Sequence, residues 1–341
     1  MAAQYGLRTK DEASIVTLDT TTVAIRSIKT VTVKGNGAWD QYFNIPEITA
    51  GSFVVMATSA TGQYASTPDA WWTPGRLHLR RAGTGTWQVL IMSSGGSPPA
   101  GVRYGIRTRN NDLVTQIDNE NRVLTVSSSG SFFLGRRGPG NYVMSQNIAF
   151  PAKVTSQEKP LIFLNSDNYL MVSGFYVLGS PGNWTGFHLD YWPGHNGAAA
   201  FTVKWMCGDF SRLISASGYG ARVKDEEGRV IFTTTENIIL LNGSPTSNGF
   251  TVRGDPLSSQ TQLFSSFQMD WTGSSADYVL ANSLMNDVNY PNGPTPYYQS
   301  PAGFLPGRRD VLQAYSGADN QTQPSGVNGR TVLAGRPMRP L

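Results

Sequence analysis

Apolar and polar residues alternate in short runs along most of this chain, and Gly, Pro, Asn, Asp and Ser clusters separate the runs. The period is two. In the opening segment Tyr5, Leu7 and Thr9 fall on one side, and Gly6, Arg8 and Lys10 fall on the other. That is the signature of a half-buried strand with its basic face in water. Gly, Thr, Ser, Val and Tyr dominate these runs, so tight turns joining short strands are expected throughout. A helix is expected at one place alone, Ser274 to Asn286, where turn residues are missing.

The strand pattern repeats. Tyr5-Gly6-Leu7-Arg8-Thr9-Lys10, Tyr104-Gly105-Ile106-Arg107-Thr108-Arg109 and Tyr219-Gly220-Ala221-Arg222-Val223-Lys224 share the form Y-G-x-R-x-[KR]. A polar turn follows each: Asp11-Glu12, Asn110-Asn111 and Asp225-Glu226. An apolar return then carries Leu18, Ile117 and Phe232 at equivalent places, followed by Asp19, Asp118 and Thr233. Turn and return make a β-hairpin. Three matches in register exceed chance, and internal repetition sets the architecture before any other consideration.

In the first two copies the similarity runs further. Phe43-Asn44-Ile45-Pro46 parallels Ile148-Ala149-Phe150-Pro151, and Phe53-Val54-Val55-Met56 parallels Leu161-Ile162-Phe163-Leu164. Gly75-Arg76-Leu77-His78-Leu79 parallels Gly186-Phe187-His188-Leu189. Trp87 to Met92 parallels Phe201 to Met206. The third copy keeps the hairpin, with Leu263-Phe264 as a further match, but its closing hairpin has no visible counterpart. Short strands at turn-separated spacing over such a copy length predict a β-sandwich.

The expectation is therefore an all-β chain of three tandem β-sandwich modules: repeat 1 over 1–101, repeat 2 over 102–216 and a diverged repeat 3 over 217–315. Residues 316–341 are rich in Gly, Pro, Asn, Gln and Arg. They read as a C-terminal arm, either disordered or extended along a partner. The links between copies are short, so the modules should touch.

Composition narrows the function classes. Charged residues make up 15% and aromatics 11%, with 37 Gly and 20 Pro. Net charge is +4, with Arg308, Arg309, Arg330, Arg336 and Arg339 gathered late in the chain. This lacks the dense Lys/Arg stripe of a nucleic-acid surface. The single cysteine, Cys207, excludes an intrachain disulfide, and its strand-like flanks predict a buried, inert thiol. The opening MAAQYGLRTK has no secretory apolar stretch, and no apolar run reaches the roughly 18 residues that span a bilayer. A soluble chain made in the cytoplasm, with no membrane insertion, is expected.

Catalytic signatures are absent from the sequence: no G-x-S-x-G, P-loop, H-E-x-x-H or paired C-x-x-C occurs, so no enzyme and no cofactor are expected. His188, Asp190 and His195 form a metal-like set, but His188 aligns with His78, whose neighbour Arg80 replaces the acidic ligand. A metal is therefore not expected. Arg8 with Asp19, and Arg107 with Asp118, recur as a cross-hairpin pair. Asn183-Trp184-Thr185 fits a glycosylation sequon, which carries no weight without a signal.

The residues singled out for binding are aromatic and flanked by Pro and Gly: Trp71 and Trp72 in copy one, Trp184, Tyr191 and Trp192 in copy two, Tyr297 and Tyr298 in copy three. They read as loop residues at the sandwich ends, where binding surfaces collect. Tyr and Trp are also the side chains enriched at protein interfaces. The plainer alternative is that these rings lid the end of each module's core.

The Y-G-x-R-x-[KR] opening, its polar turn, the return strand and the later Phe-x-x-Pro or Phe-Pro resemble structural proteins of long-tailed bacteriophages found at the tail tip or baseplate. The resemblance covers the hairpin in all three copies and extends over most of copies one and two; the third copy departs from it after its hairpin. It implies a virion component present in several copies, holding other phage tail proteins or touching a host cell-surface receptor or glycan. A tail fibre protein and a capsid decoration protein are the alternatives. No catalytic residues carry over.

Overall fold

The computed structural model describes residues 8–10, 16–19, 26–58, 69–80, 83–93, 105–110, 113–118, 122–135, 144–192, 200–210, 221–224, 226–228, 230–242, 251–252, 264–270, 276–281, 284, 286–288, 298–300, 302–317 and 333–341. The protein is all-β. The first copy contains β1 (Arg8–Lys10), β2 (Val16–Asp19), β3 (Arg26–Lys34), β4 (Asp40–Asn44), β5 (Ser52–Thr58), β6 (Asp69–Thr73), β7 (Arg76–Arg80) and β8 (Thr86–Ser93). The second contains β9 (Gly105–Asn110), β10 (Leu113–Asp118), β11 (Thr125–Leu134), β12 (Met144–Val154), β13 (Leu161–Asn165), β14 (Leu170–Ser180), β15 (Asn183–Trp192) and β16 (Phe201–Asp209). The third contains β17 (Arg222–Lys224), β18 (Val230–Thr233), β19 (Ile239–Asn242), β20 (Thr251–Val252), β21 (Phe264–Asp270), β22 (Tyr278–Leu280), β23 (Asn286–Val288), β24 (Tyr298–Ser300), β25 (Ala302–Leu305), β26 (Arg308–Gly317) and β27 (Ala334–Pro337).

Each copy opens with the expected hairpin: β1 with β2, β9 with β10, β17 with β18. In the first hairpin Arg8 faces Asp19 directly, and in the third Arg222 faces Thr233, each with an irregularity one residue further on. The second runs without that irregularity. There Arg107 faces Gln116, and Asp118 is displaced to Gly105, so the Arg–Asp pair lies on the diagonal. Ile117 and Phe232, equivalent positions of the repeat, share one small core with Val123, Val223 and Ile238. The second and third hairpins are thus packed together.

Beyond the hairpins one strand order recurs. In the first copy the sheets are β3-β8-β5 and β4-β7-β6. In the second the equivalent orders are β11-β16-β13 and β12-β15-β14, and in the third β19-β27-β22 and β21-β26-β25. The second and third copies are not separate bodies. β13 pairs with β22 and β14 pairs with β25, giving one six-stranded and one seven-stranded sheet that run across both. Gly303 marks this seam. A Cβ there would stand 1.9 Å from the carbonyl oxygen of Leu170, so only glycine lets the strands approach.

The four main sheets lie face to face in sequence. Leu77 and Leu79 of β7 meet Val54, Met56, Val89 and Ile91 in the first core. The opposite faces of the same strands, through Val55, Leu90 and Met92, meet Leu161, Phe163, Met206 and Leu280 of the six-stranded sheet. That sheet's other face, through Ile162, Leu164, Trp205 and Cys207, meets Phe175, Phe187 and Leu189 of the seven-stranded sheet. Strands covered on both faces read as continuous apolar runs rather than alternating ones. This accounts for Phe53 to Met56 and Leu161 to Leu164.

Two expectations are corrected. The stretch Ser274–Asn286 holds no α-helix among its described residues: Tyr278–Leu280 and Asn286–Val288 are strands, and Ala281 lies in a 3-10 turn. Tyr278, Val279 and Leu280 are all buried in the middle of the six-stranded sheet, and two-sided burial overrides local propensity. Residues 334–337 are not an arm. They form the strand between β22 and β19, with Leu333 and Ala334 fully buried. This is the closing strand the third copy lacked in the sequence. Among the described residues no helix is long and apolar enough to cross a membrane.

Candidate functional site

The outermost sheet of the first copy exposes a row of rings. Strand β7 alternates: Leu77 and Leu79 point into the core, so Arg76, His78 and Arg80 point outward. Register places Tyr42 of β4 and Trp71 of β6 on either side of His78. Tyr42 stacks on the imidazole at 4.2 Å between centroids and 22° between planes, while Trp71 meets it at 3.5 Å and 64°. His78 is thereby buried, yet Tyr42 remains 59% exposed.

Charges flank the row. Arg80 donates from Nε to Asp40 Oδ1 at 2.9 Å, and its guanidinium lies 5.1 Å from the centre of a Trp71 ring. Arg76 sits over Tyr42 at 5.7 Å, at cation–π range. The hydrogen bond from Arg80 holds the Asp40 carboxyl below the usual carboxylate range. Burial pushes the His78 imidazole down, against the opposing pull of Asp40. With Asp40 Oδ1 3.1 Å from Nε2, the neutral ring keeps its proton on Nε2 and donates it to that carboxylate. The result is a flat, π-rich face with a cation near each end. Such a face suits stacking against a planar group or a sugar ring.

The second copy carries a related row on the seven-stranded sheet. Tyr176 of β14 stacks on His188 of β15 at 4.5 Å and 18°. His188 lies between Asn147 Oδ1, 2.6 Å from Nδ1, and Asp190 Oδ1, 3.0 Å from Nε2. Ser145 donates to the same Asp190. The histidine alignment read from the repeat is thus a spatial equivalence, and in both copies a tyrosine from a neighbouring strand stacks on it, from β4 in the first and from β14, the counterpart of β6, in the second. His188 and Asp190 touch each other; His195 lies outside the described residues.

The aromatic residues chosen from sequence divide. Trp71 belongs to the exposed row. Trp72, the next residue along β6, turns inward: its Nε1–H donates to the carbonyl of Ser52 at 3.0 Å and its ring packs on the first core. Trp184 and Tyr191 are not loop residues. Both are buried in β15, within the core between the two long sheets. Trp184 donates to the carbonyl of Ser156 at 2.9 Å, and burial raises the Tyr191 phenol. They support the core rather than a ligand. Pro181-Gly182 makes a tight turn, Gly182 having φ of 80°, and the strand resumes at once. Trp192 and Tyr298 are strand positions, and Tyr297 lies outside the described residues.

Tyr42, Arg76, His78, Arg80 and Asp40 were not read as a site from sequence. The available signal was the alternation Arg76-x-His78-x-Arg80 within one strand, which places all three on one face. No protein-family model matches this chain, and neither curated proteins nor solved structures give a match.

Proposed function

We propose that this chain is a virion structural protein of a tailed bacteriophage, placed at the tail tip or baseplate, where it assembles with other tail proteins and has no enzymatic role. The observation that supports assembly is how like modules are joined. The second and third copies share ladders edge to edge, and the first is seated face-on against their shared sheet. A chain that uses both the edge and the face of one strand order to associate with itself is built for lateral packing of β surfaces. The phage setting rests on the Y-G-x-R-x-[KR] resemblance. Immunogold electron microscopy of whole particles, with antibody against the chain, tests it. Label at the tail end is the expected result; label on the head would replace it with a capsid decoration role, and absence of label would refute a virion role.

A second reading, contact with a host receptor or glycan, is favoured by the Tyr42–His78–Trp71 row, whose outer ring is exposed and flanked by cations. Tyr42→Ala with Trp71→Ala should remove cell binding and leave the far-UV spectrum unchanged. Unaltered binding by the double variant sinks this reading.

A further inference from the structure

We infer that the first copy pairs with a second copy of this chain along the free edge of β5, forming a two-fold dimer by antiparallel strand addition. The chain itself supplies the precedent. β13 is the second copy's equivalent of β5: Phe163 faces Met206 as Phe53 faces Met92. β22 is the equivalent strand of the third copy. These two pair antiparallel to each other, through Phe163↔Leu280 and Leu164↔Val279. The edge that closes the second copy onto the third is thus the edge that β5 presents. Among the described residues β5 has β8 on one side and no strand on the other.

The composition of the edge agrees. An unpaired strand edge offers a row of N–H and C=O groups to any other chain, and proteins guard such edges with Lys, Pro or short strands. At the opposite end of this sheet β3 carries Arg26, Lys29 and Lys34. β5 reads Ser-Phe-Val-Val-Met-Ala-Thr over seven residues, with no charge and no proline. It shares that lack with β13 and β22, which are paired. Exposure points the same way: Phe163, beside β22, is 0% exposed, whereas Phe53 is only half-buried. A second β5 alongside would cover Phe53 as β22 covers Phe163.

The occupant is a second copy because two like strands of this fold already make this junction within one chain. Between two chains the same antiparallel pairing becomes a true two-fold, with one patch meeting itself. The pairing is independent of where the chain sits in a particle. Main-chain ladder bonds supply the attraction, as in other strand-addition complexes.

Sedimentation of the full chain over a concentration series, with amide hydrogen exchange at both ends of that series, tests the inference. A species of twice the 37.0 kDa chain mass should appear, with protection gained at Ser52–Thr58 as concentration rises. Phe53→Lys, which puts a charge on the edge, should weaken the dimer at least about tenfold. A monomer at every concentration overturns the inference. So does a dimer whose new protection falls at Arg26–Lys34 or elsewhere and leaves β5 exchanging freely. The exchange pattern decides the matter for the unsubstituted chain even where Phe53→Lys fails to fold.

Discussion

The first copy and the joined second and third copies follow one strand order but end differently at one edge. In the joined pair, β13 and β22 complete each other, and a small polar network closes the seam. The Asn165 side chain donates to the Asp277 carbonyl at 2.6 Å, and the fully buried Asp277 carboxylate takes Arg336 through two bonds of 2.7 and 2.9 Å. In the first copy the corresponding edge strand is uncharged and mostly apolar, and no such network stands at it among the described residues. The lesson is that the module's interior does not decide whether it stands alone. Residues at the edge do, and few are needed: a glycine at the close approach, an asparagine, a buried aspartate.

The largest effect that sharpens this contrast is truncation after residue 332. A dispensable arm would leave stability unchanged. Here the deletion removes Leu333, the β27 strand between β22 and β19, Arg336 opposite Asp277, and the clasp between Arg339 and Asn237. The loss should reach on the order of 5 kcal/mol, comparable to the whole stability of a small domain. Calorimetry should show the transition of the second and third copies lowered or lost.

Gly303→Val should come next. The added side chain collides with the Leu170 carbonyl across the seam, and the strands must part to admit it. A destabilisation of about 3 kcal/mol is expected. Hydrogen exchange should report it at β14 and β25, while β3, β5 and β8 keep their protection. Equal loss of protection in the first copy would show that the modules are not separable in this sense.

How much of this was legible follows from where each signal lives. The hairpins were legible because turn chemistry and a period of two are local. Continuous apolar runs located β5 and β13, although the reason for their continuity, cover from a neighbouring sheet on each face, is a tertiary fact. The β27 strand was illegible: Ala334-Gly335-Arg336-Pro337 has no apolar alternation, because Gly335 is crowded by Ile239, Phe163 and Met206 and tolerates no side chain. The aromatic clusters were misread for a related reason. Trp184 and Tyr191 lie beside Pro and Gly in sequence but begin and end a strand that runs through the core. His78 entered the sequence reading only as the counterpart of His188 in the repeat. Its role as the centre of a ring stack depends on β4 and β6, more than thirty residues before it and several before it respectively, and no local pattern joins them.

A smaller effect separates the two tryptophans of β6. Trp72→Ala removes a ring from the first core and its bond to Ser52, and should cost about 3 kcal/mol. Trp71→Ala strips an outward ring and should cost about 1 kcal/mol or less. Denaturant unfolding of the two variants measures the difference. Equal costs would mean that the row on the outer sheet is a structural lid and not a free face.

The smallest effect is a pH dependence confined to the third copy. Burial, reinforced by the nearby Asp209, raises the Glu236 carboxyl to about 7, against the pull of Arg339. The folded state therefore holds a proton that the unfolded chain releases near the ordinary value of 4.5. Between those limits the folded state binds more protons, so its stability falls as pH rises from 4.5 towards 7 and levels off above. Glu236→Gln removes the titration. Its melting temperature should match the unsubstituted chain at pH 4.5 and exceed it at pH 8, with the gap opening between. Arg339, held in the clasp with Asn237, pulls the Glu236 carboxyl down, so Arg339→Gln should raise it further and widen the gap, which links this small titration to the segment that closes the third copy.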